Sequence, residues 1–180
     1  SPVQMATVRA GVLPVLEPRE ATAPDTETVH VAPRGRVRVT ERARDDDLDT
    51  LAEASVVLGV GTGVPPEEYS QLQPLLDALG AELAATRKVT DRGWLPRARQ
   101  VGLTGRSIAP RLYVALGLSG KFNHMVGVRA AKTILAVNTA PDALVFGHTD
   151  VGVVGDWHAV LPLLCEQLAE VAPAASPTRG

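Results

Sequence analysis

Four short segments of this 180-residue chain carry side chains and backbone suited to holding a phosphorylated, polar ligand. The first is Gly59-Val60-Gly61-Thr62-Gly63, whose glycines permit positive φ and let backbone come close to a phosphate. Its spacing is not GxGxxG, and an ordinary strand-to-helix turn reads the same way. The second, Val101-Gly102-Leu103-Thr104-Gly105-Arg106-Ser107, is polar and glycine-bearing and offers backbone N–H groups with the Thr104 hydroxyl. The third, Ser119-Gly120-Lys121-Phe122-Asn123-His124, joins an apolar run to an expected helix start, where unpaired amides attract anions. His124, about one turn in, can donate to a carbonyl or a developing anion, or serve as a surface or capping histidine. The fourth is the pair Asn138 and Asp156, each just beyond an apolar run. A carboxylate in that position meets ribose hydroxyls, caps a helix, or does both. As a set the segments point to a nucleotide site, although no single one does.

These segments need a frame that brings strand ends together. From Ser55 onward β-branched runs alternate with helical spacing: strands are expected at Ser55–Val60, Ala81–Thr86, Tyr113–Leu118, Thr133–Val137 and Val151–Val154. Tyr69, Leu72, Leu76 and Leu79 recur at helical spacing over Pro65–Leu79, with Pro65 and Pro66 in the first turn and Gly80 at the stop. Pro74 should bend that helix. A further helix is expected from near Lys121, and a last one after Asp156 with Val160, Leu164, Leu168 and Val171 on one face. Alternating strands and helices predict an α/β fold with a parallel, doubly wound sheet, which binds ligands at the carboxyl ends of its strands.

The first fifty residues differ. Met5–Val12 and Arg36–Thr40 read as short strands, Glu17–Thr28 as a loop, and Arg42–Asp49 as a solvated charge cluster. Such a region cannot close a core and reads as the end of a sheet whose other strands are elsewhere. The expected organisation is a remnant over 1–50, the nucleotide-binding domain over 51–172, and a disordered tail over 173–180.

Composition excludes several classes. A formal net charge of −2 with dispersed basic residues gives no case for nucleic acid or anionic lipid. No apolar run is long enough for membrane insertion, and no signal peptide is visible. The single cysteine, Cys165, lies in an apolar helical stretch, reads as a buried thiol and fits a reducing compartment. A bacterial cytoplasmic location is expected.

The run Gly102-Leu103-Thr104-Gly105-Arg106-Ser107-Ile108-Ala109-Pro110-Arg111-Leu112-Tyr113, followed by Gly117-Leu118-Ser119-Gly120, resembles the signature of electron-transfer flavoprotein alpha subunits. The likeness continues through Asn123-His124, Lys132–Asn138 and Asp150–Asp156, and back through Gly93-Trp94-Leu95-Pro96 to the strand at Ser55. Gln4–Arg9 resembles the end of that family's amino-terminal domain. The resemblance implies a flavodoxin-like sheet of the deoxyhypusine-synthase type, non-covalent FAD, and a beta-subunit partner that completes the flavin's surroundings.

Position by position, the resemblance implies that Arg87 lies over the flavin ring and that Thr86 replaces a neighbouring serine which meets the cofactor. Val101, Gly102, Leu103 and Thr104 match the stretch near the flavin N5. Ser119, Gly120, Lys121, Phe122, Asn123 and His124 match the loop around flavin and phosphates, with His124 facing the pyrimidine carbonyl. Asn138 and Asp156 match positions on the adenosine side. Two positions depart from the pattern: Thr62 stands where many members have arginine, and Leu103 where glutamine is common. The implied role is an electron carrier, taking electrons from acyl-CoA or other dehydrogenases and passing them to a quinone oxidoreductase or other acceptor. The chain then reads as a fragment of a longer subunit. The alternatives are a nicotinamide-nucleotide enzyme, for which no catalytic constellation is visible, and a cofactor-free scaffold.

Overall fold

The computed structural model describes residues 27–29 and 48–171. The strand-like patches Met5–Val12 and Arg36–Thr40, most of the Arg42–Asp49 cluster and the tail from 172 lie outside the described residues.

Five strands form one sheet: β1 (Val56–Val60), β2 (Glu82–Ala85), β3 (Leu112–Leu116), β4 (Thr133–Asn138) and β5 (Val151–Val154). All neighbours are parallel and the order is β2-β1-β3-β4-β5, the flavodoxin-like arrangement. The register sets Val60 beside Ala85 and Leu116, and Leu116 beside Val137, so the strands end level with one another.

Alternation along each strand builds two apolar layers. Val57, Tyr113, Ala115, Ile134 and Ala136 enter one, while Leu58, Val60, Val114, Leu116 and Val137 enter the other. Strands buried on both faces read as continuous apolar runs, as β1, β3 and β4 do, while β5 at the sheet edge leaves Val151 and Val154 exposed. The second layer is closed by α2 (Gln73–Leu79) and α5 (Trp157–Val171), through Leu75, Trp157 and Leu161. The first is closed by Leu51 of α1 (Leu48–Glu53), by loop residues Val101, Ile108 and Val128, and by Val145 of a 3₁₀ helix (Leu144–His148). α1 begins before residue 51, in a stretch read from sequence as charged and solvated; its buried Leu51 is what anchors it.

Three expected elements change at their ends. The helix over Pro65–Leu79 is a 3₁₀ helix, Pro66–Leu72, followed by α2. Pro74 has no N–H to give and its ring crowds the carbonyl four residues back, which kinks or breaks an α-helix; here the break falls just before it, whereas α5 runs on through Pro162. At the second position of α2 that missing donor costs nothing. Gly80 ends α2 in the left-handed region at φ 55, as its place in the sequence suggested. β3 stops at Leu116 rather than Leu118 because Gly117 takes φ 56 and turns the chain. The helix from Lys121 is a single turn, α4 (Phe122–Met125), and the N–H groups of Gly127 and Val128 bond three residues back rather than four. So short a helix adds little dipole at Ser119–Lys121.

Candidate functional site

The chain moves from β1 outward to β2 and then back across to β3, so the strand order reverses between β1 and β3, the switch point at which sheets of this class form a ligand crevice. The Gly-rich turn lies at this switch point, packed on the end of β3. Gly61 N–H donates to Leu116 O at 3.0 Å, and Gly63 N–H to Gly117 O at 3.0 Å. A Cβ on Gly61 would stand 2.3 Å from Gly117 O, so backbone packs directly on backbone. The glycines therefore serve strand-end packing, and the amides of Gly61 and Gly63 are engaged within the protein.

Beside β2, Thr86 N–H bonds Val60 O at 3.1 Å and leads into α3 (Arg87–Asp91). The Arg87 side chain is 60% exposed and pairs with Asp91 at 3.1 Å. Such a surface pair holds its partners weakly, so the guanidinium can be redirected by a ligand. Gln100 then bridges to Ala85, and the chain folds into a tight lobe: Arg106 N–H bonds Gln100 O at 2.8 Å and Gly102 N–H bonds Arg106 O at 2.9 Å. Gly102, at φ 132, has no room for a side chain against Asn123 O. Thr104 and Leu103 are exposed at the tip of the lobe. Beneath them Gln100 is wholly buried, accepting a hydrogen bond from Thr90 Oγ1 and donating one to Thr104 Oγ1, both 2.9 Å.

His124 does not face solvent. It is 7% exposed, with Nδ1 3.0 Å from Val101 O and Nε2 2.7 Å from the Tyr113 hydroxyl. A carbonyl only accepts, so Nδ1 carries the hydrogen; a neutral ring then accepts from Tyr113 O–H at Nε2. Burial keeps the ring neutral, lowering its pKa to about 4 against the partial support of the Val101 carbonyl, and burial pushes the Tyr113 hydroxyl up. The sequence suggested a histidine donating to a ligand carbonyl or lying at the surface; the fold gives both ring nitrogens protein partners. What this histidine does is join the lobe at Val101 to β3 and α4.

The third segment lies against the lobe, with Leu103 N–H bonding Asn123 O at 2.6 Å. Ser119, Lys121, Phe122 and Asn123 are exposed, Phe122 at 69%. Gly120 is buried at φ 74, and a Cβ there would meet Val145 N at 2.0 Å, so the loop after β4 closes over it.

Asn138, at the end of β4, donates from its amide to Leu118 O at 2.8 Å, and its side-chain oxygen accepts from Ala140 N–H at 3.0 Å. It fastens the β3 and β4 loops together. Gly155 N–H bonds Asn138 O at 3.0 Å, which brings Asp156 to the same edge. Asp156 caps α5, its Oδ1 accepting from His158 N–H at 3.0 Å and from His158 Nδ1 at 2.7 Å. His158 Nε2 also reaches Glu68 at 3.0 Å. Both ring nitrogens meet carboxylates, which only accept and so favour the protonated ring: the Asp156 hydrogen bond above all, with Glu68, raises its pKa. The His158 backbone and side-chain donors lower that of Asp156.

The three outer segments and Asn138 are thus linked by direct hydrogen bonds at the carboxyl edge. Sequence reading missed Gln100, Tyr113 as a partner of His124, and the Glu68–His158–Asp156 chain. Gln100 sits in a polar stretch after Arg97 and Arg99 with no periodicity to reveal its burial, and Glu68 and His158 are ninety residues apart. A separate cleft of about 750 Å³ lies between α2 and β2, lined by Asp77, Glu82, Leu95 and Arg99 among others. None of the candidate residues lines it. Among the described residues no cluster suited to a metal ion is present, and no helix is long and apolar enough to cross a membrane.

A parallel sheet in this order, with glycine-bearing loops and exposed hydroxyls at its carboxyl edge, defines an α/β nucleotide-binding domain. Residues 50–129 match the family model described as the electron transfer flavoprotein FAD-binding domain. An electron transfer flavoprotein subunit alpha of Mycobacterium leprae is 38% identical over 164 residues, covering 89% of this chain and 51% of the relative. That of Thermoanaerobacterium thermosaccharolyticum is 33% identical over 178 residues, covering 93% and 52%. Protein FixB of Azorhizobium caulinodans is 40% identical over 172 residues, covering 91% and 46%. The chain belongs to the electron transfer flavoprotein alpha family, and FAD is the cofactor of the domain it carries. It spans about half the length of the curated relatives it matches.

Proposed function

We propose that this domain holds FAD along the carboxyl edge of its sheet and that the protein to which it belongs is an electron carrier. The observation that carries this reading is the convergence of Thr86–Arg87, Val101–Thr104, Ser119–His124, Asn138 and Asp156 on that one edge, reached from β2, β3, β4 and β5. The donor set suits a flavin dinucleotide. Thr104 and Ser119 offer exposed hydroxyls, Lys121 and Arg87 offer exposed cations, and the buried, sterically closed Gly120 leaves backbone rather than a side chain at the loop.

FAD supplies the one- and two-electron chemistry when bound, and the protein sets its position and electrostatics. With FAD bound, Arg87 would exchange its weak pair with Asp91 for a place by the ring, where its charge would favour negative charge on the flavin. Thr104 hydrogen-bonds the ring near N5. His124 acts behind this surface, holding Val101 and hence the lobe at the right height. Asn138 shapes the adenosine side, and Asp156 accepts from a ribose hydroxyl through the oxygen that His158 does not use. A beta subunit of the electron transfer flavoprotein type covers the exposed face of the ring. Acyl-CoA or other dehydrogenases are the donors, and a quinone oxidoreductase or other acceptor receives the electrons; the setting is cytoplasmic.

The test is the visible spectrum and cofactor content of the protein purified with and without a beta subunit. Yellow protein that releases FAD on denaturation is the expected result. Protein that stays colourless after incubation with FAD and the beta subunit, or that takes up NAD instead, overturns the reading.

A further inference from the structure

Among the buried polar side chains, Gln100 is the one whose hydrogen bonds run outward to the candidate site from below. It is 0% exposed, yet it touches no ligand-facing surface itself. A buried carboxamide needs partners at both ends, and it has them: Nε2 donates to Thr104 Oγ1 at 2.9 Å, and Oε1 lies 2.9 Å from Thr90 Oγ1, whose one hydrogen it shares with Arg87 O at 3.0 Å. Its main chain is held as well, with N–H on Arg97 O at 3.0 Å and O receiving Arg106 N–H at 2.8 Å. Gly105 packs over it without a side chain, since a Cβ there would come within 2.9 Å of Gln100 Cγ. Thr90 is on α3, the turn that begins with Arg87, and Thr104 is exposed at the tip of the lobe.

From this geometry we infer that Gln100 is a positioning residue that fixes the direction of the Thr104 hydroxyl, holding it as a hydrogen-bond donor toward the bound cofactor. A hydroxyl has one hydrogen and two lone pairs. With one lone pair taken from below by Gln100 Nε2–H, the Thr104 hydrogen is not needed inside the protein and turns to the crevice. The same amide ties the turn bearing Arg87 to the lobe bearing Thr104, so the two residues keep a common spacing. This inference rests on the reading that Thr104 faces the flavin N5. A hydroxyl held as donor stabilises an unprotonated ring nitrogen, does so more strongly as negative charge builds on it, and does so least once that nitrogen carries its own hydrogen. Gln100 therefore widens the interval between the first and second one-electron reduction equilibria.

The experiment is a double-mutant cycle on the FAD-loaded complex, read as the ratio of the two one-electron equilibrium constants in a reductive titration. Gln100→Met keeps length and neutrality but removes both hydrogen bonds, and Thr104→Val removes the hydroxyl. Each is expected to lower the ratio about fivefold, as fits one hydrogen bond, and the double variant to lower it no further than Thr104→Val alone. Thr90→Val, which loosens the amide without touching the lobe, should shift the ratio the same way by less, and serves if Gln100→Met does not fold. Complexes that bind no FAD overturn both this inference and the reading beneath it. A Thr104→Val complex with an unchanged ratio overturns the placement of Thr104. A shift from Thr104→Val that Gln100→Met and Thr90→Val both fail to reproduce, or equal shifts from Gln100→Met with and without Thr104, overturns the role of Gln100 alone. A rise in the ratio with Gln100→Met also overturns it, since Thr104 would then have been giving its hydrogen to the amide.

Discussion

Two histidines stand at the carboxyl edge of the same sheet and are displaced in opposite directions. His124, between the lobe and β3, is buried against a carbonyl and a hydroxyl, and burial holds it neutral with a pKa of about 4. His158, beyond β5, is exposed between Asp156 and Glu68, which raise its pKa. The difference lies in what each side of the edge is built for. Around β1 and β3, polar groups are satisfied inside the protein, and loops pack backbone to backbone at Gly61, Gly102 and Gly120. Beyond β5, Asp156, His158 and Glu68 lie in water, satisfy one another and remain within reach of a ligand. On the inner side His124 fixes the geometry of the loops around it, and on the outer side His158 keeps its charge at the surface.

This contrast can be broken most directly by removing the inner ring. His124→Ala leaves a cavity and strands both the Val101 carbonyl and the Tyr113 hydroxyl, so denaturant unfolding should show a loss of about 3–4 kcal/mol. His158→Ala, in the same assay, should leave the midpoint unchanged. Equal losses would mean that the inner and outer sides are not distinct.

Acid should act on the inner side as well. The His124 pKa is lowered from its ordinary 6.5 to about 4, so the unfolded chain takes up the proton first. Its contribution is complete above pH 6.5 and declines as the pH falls toward 4, by at most about 1.4 kcal/mol per pH unit and on the order of 3 kcal/mol in all. The slope of stability against pH over that window should flatten in His124→Ala. For His158 the sign is reversed: its raised pKa adds stability below 6.5 that is lost as pH rises through the raised value, and exposure keeps this small. Asp156, held below 3.8, contributes above that value and loses its contribution in stronger acid.

Tyr113→Phe removes one hydroxyl and leaves the His124 Nε2 acceptor unpaired in the core, a cost of about 1–2 kcal/mol by thermal unfolding. The fold should survive, and FAD affinity should fall through the lobe rather than through a lost contact. The smallest effect is expected from His158→Ala on FAD binding, less than about threefold at neutral pH by fluorescence titration, in line with a surface charge. The wild-type protein should bind FAD slightly more weakly as pH rises and His158 gives up its charge, and the variant should not.

Much of the frame was readable from residue order. Runs such as Val56–Val60 and Thr133–Val137 are apolar on both faces, and that pattern requires a parallel sheet covered on both sides. Gly80 at a helix stop and Asp156 at a helix start follow from backbone rules that act within a few residues. The family run from Gly102 to Asp156 pointed to the FAD-binding domain, and residues 50–129 carry it.

Other features depend on distance along the chain. Pro74 was visible, but whether the helix would bend or break depended on how Leu72 and Leu75 had to be buried. His124 is polar and follows an exposed run, and only the arrival of Tyr113 and the Val101 carbonyl makes its burial possible. Gln100 reads as one more polar residue until the lobe closes over it. The chain alone determined which residue types stand at the ends of which strands, because alternation and turn chemistry are local. The tertiary structure decided which of those groups are spent inside the protein and which are left for a ligand, because a hydrogen bond is allotted only when its distant partner is in place.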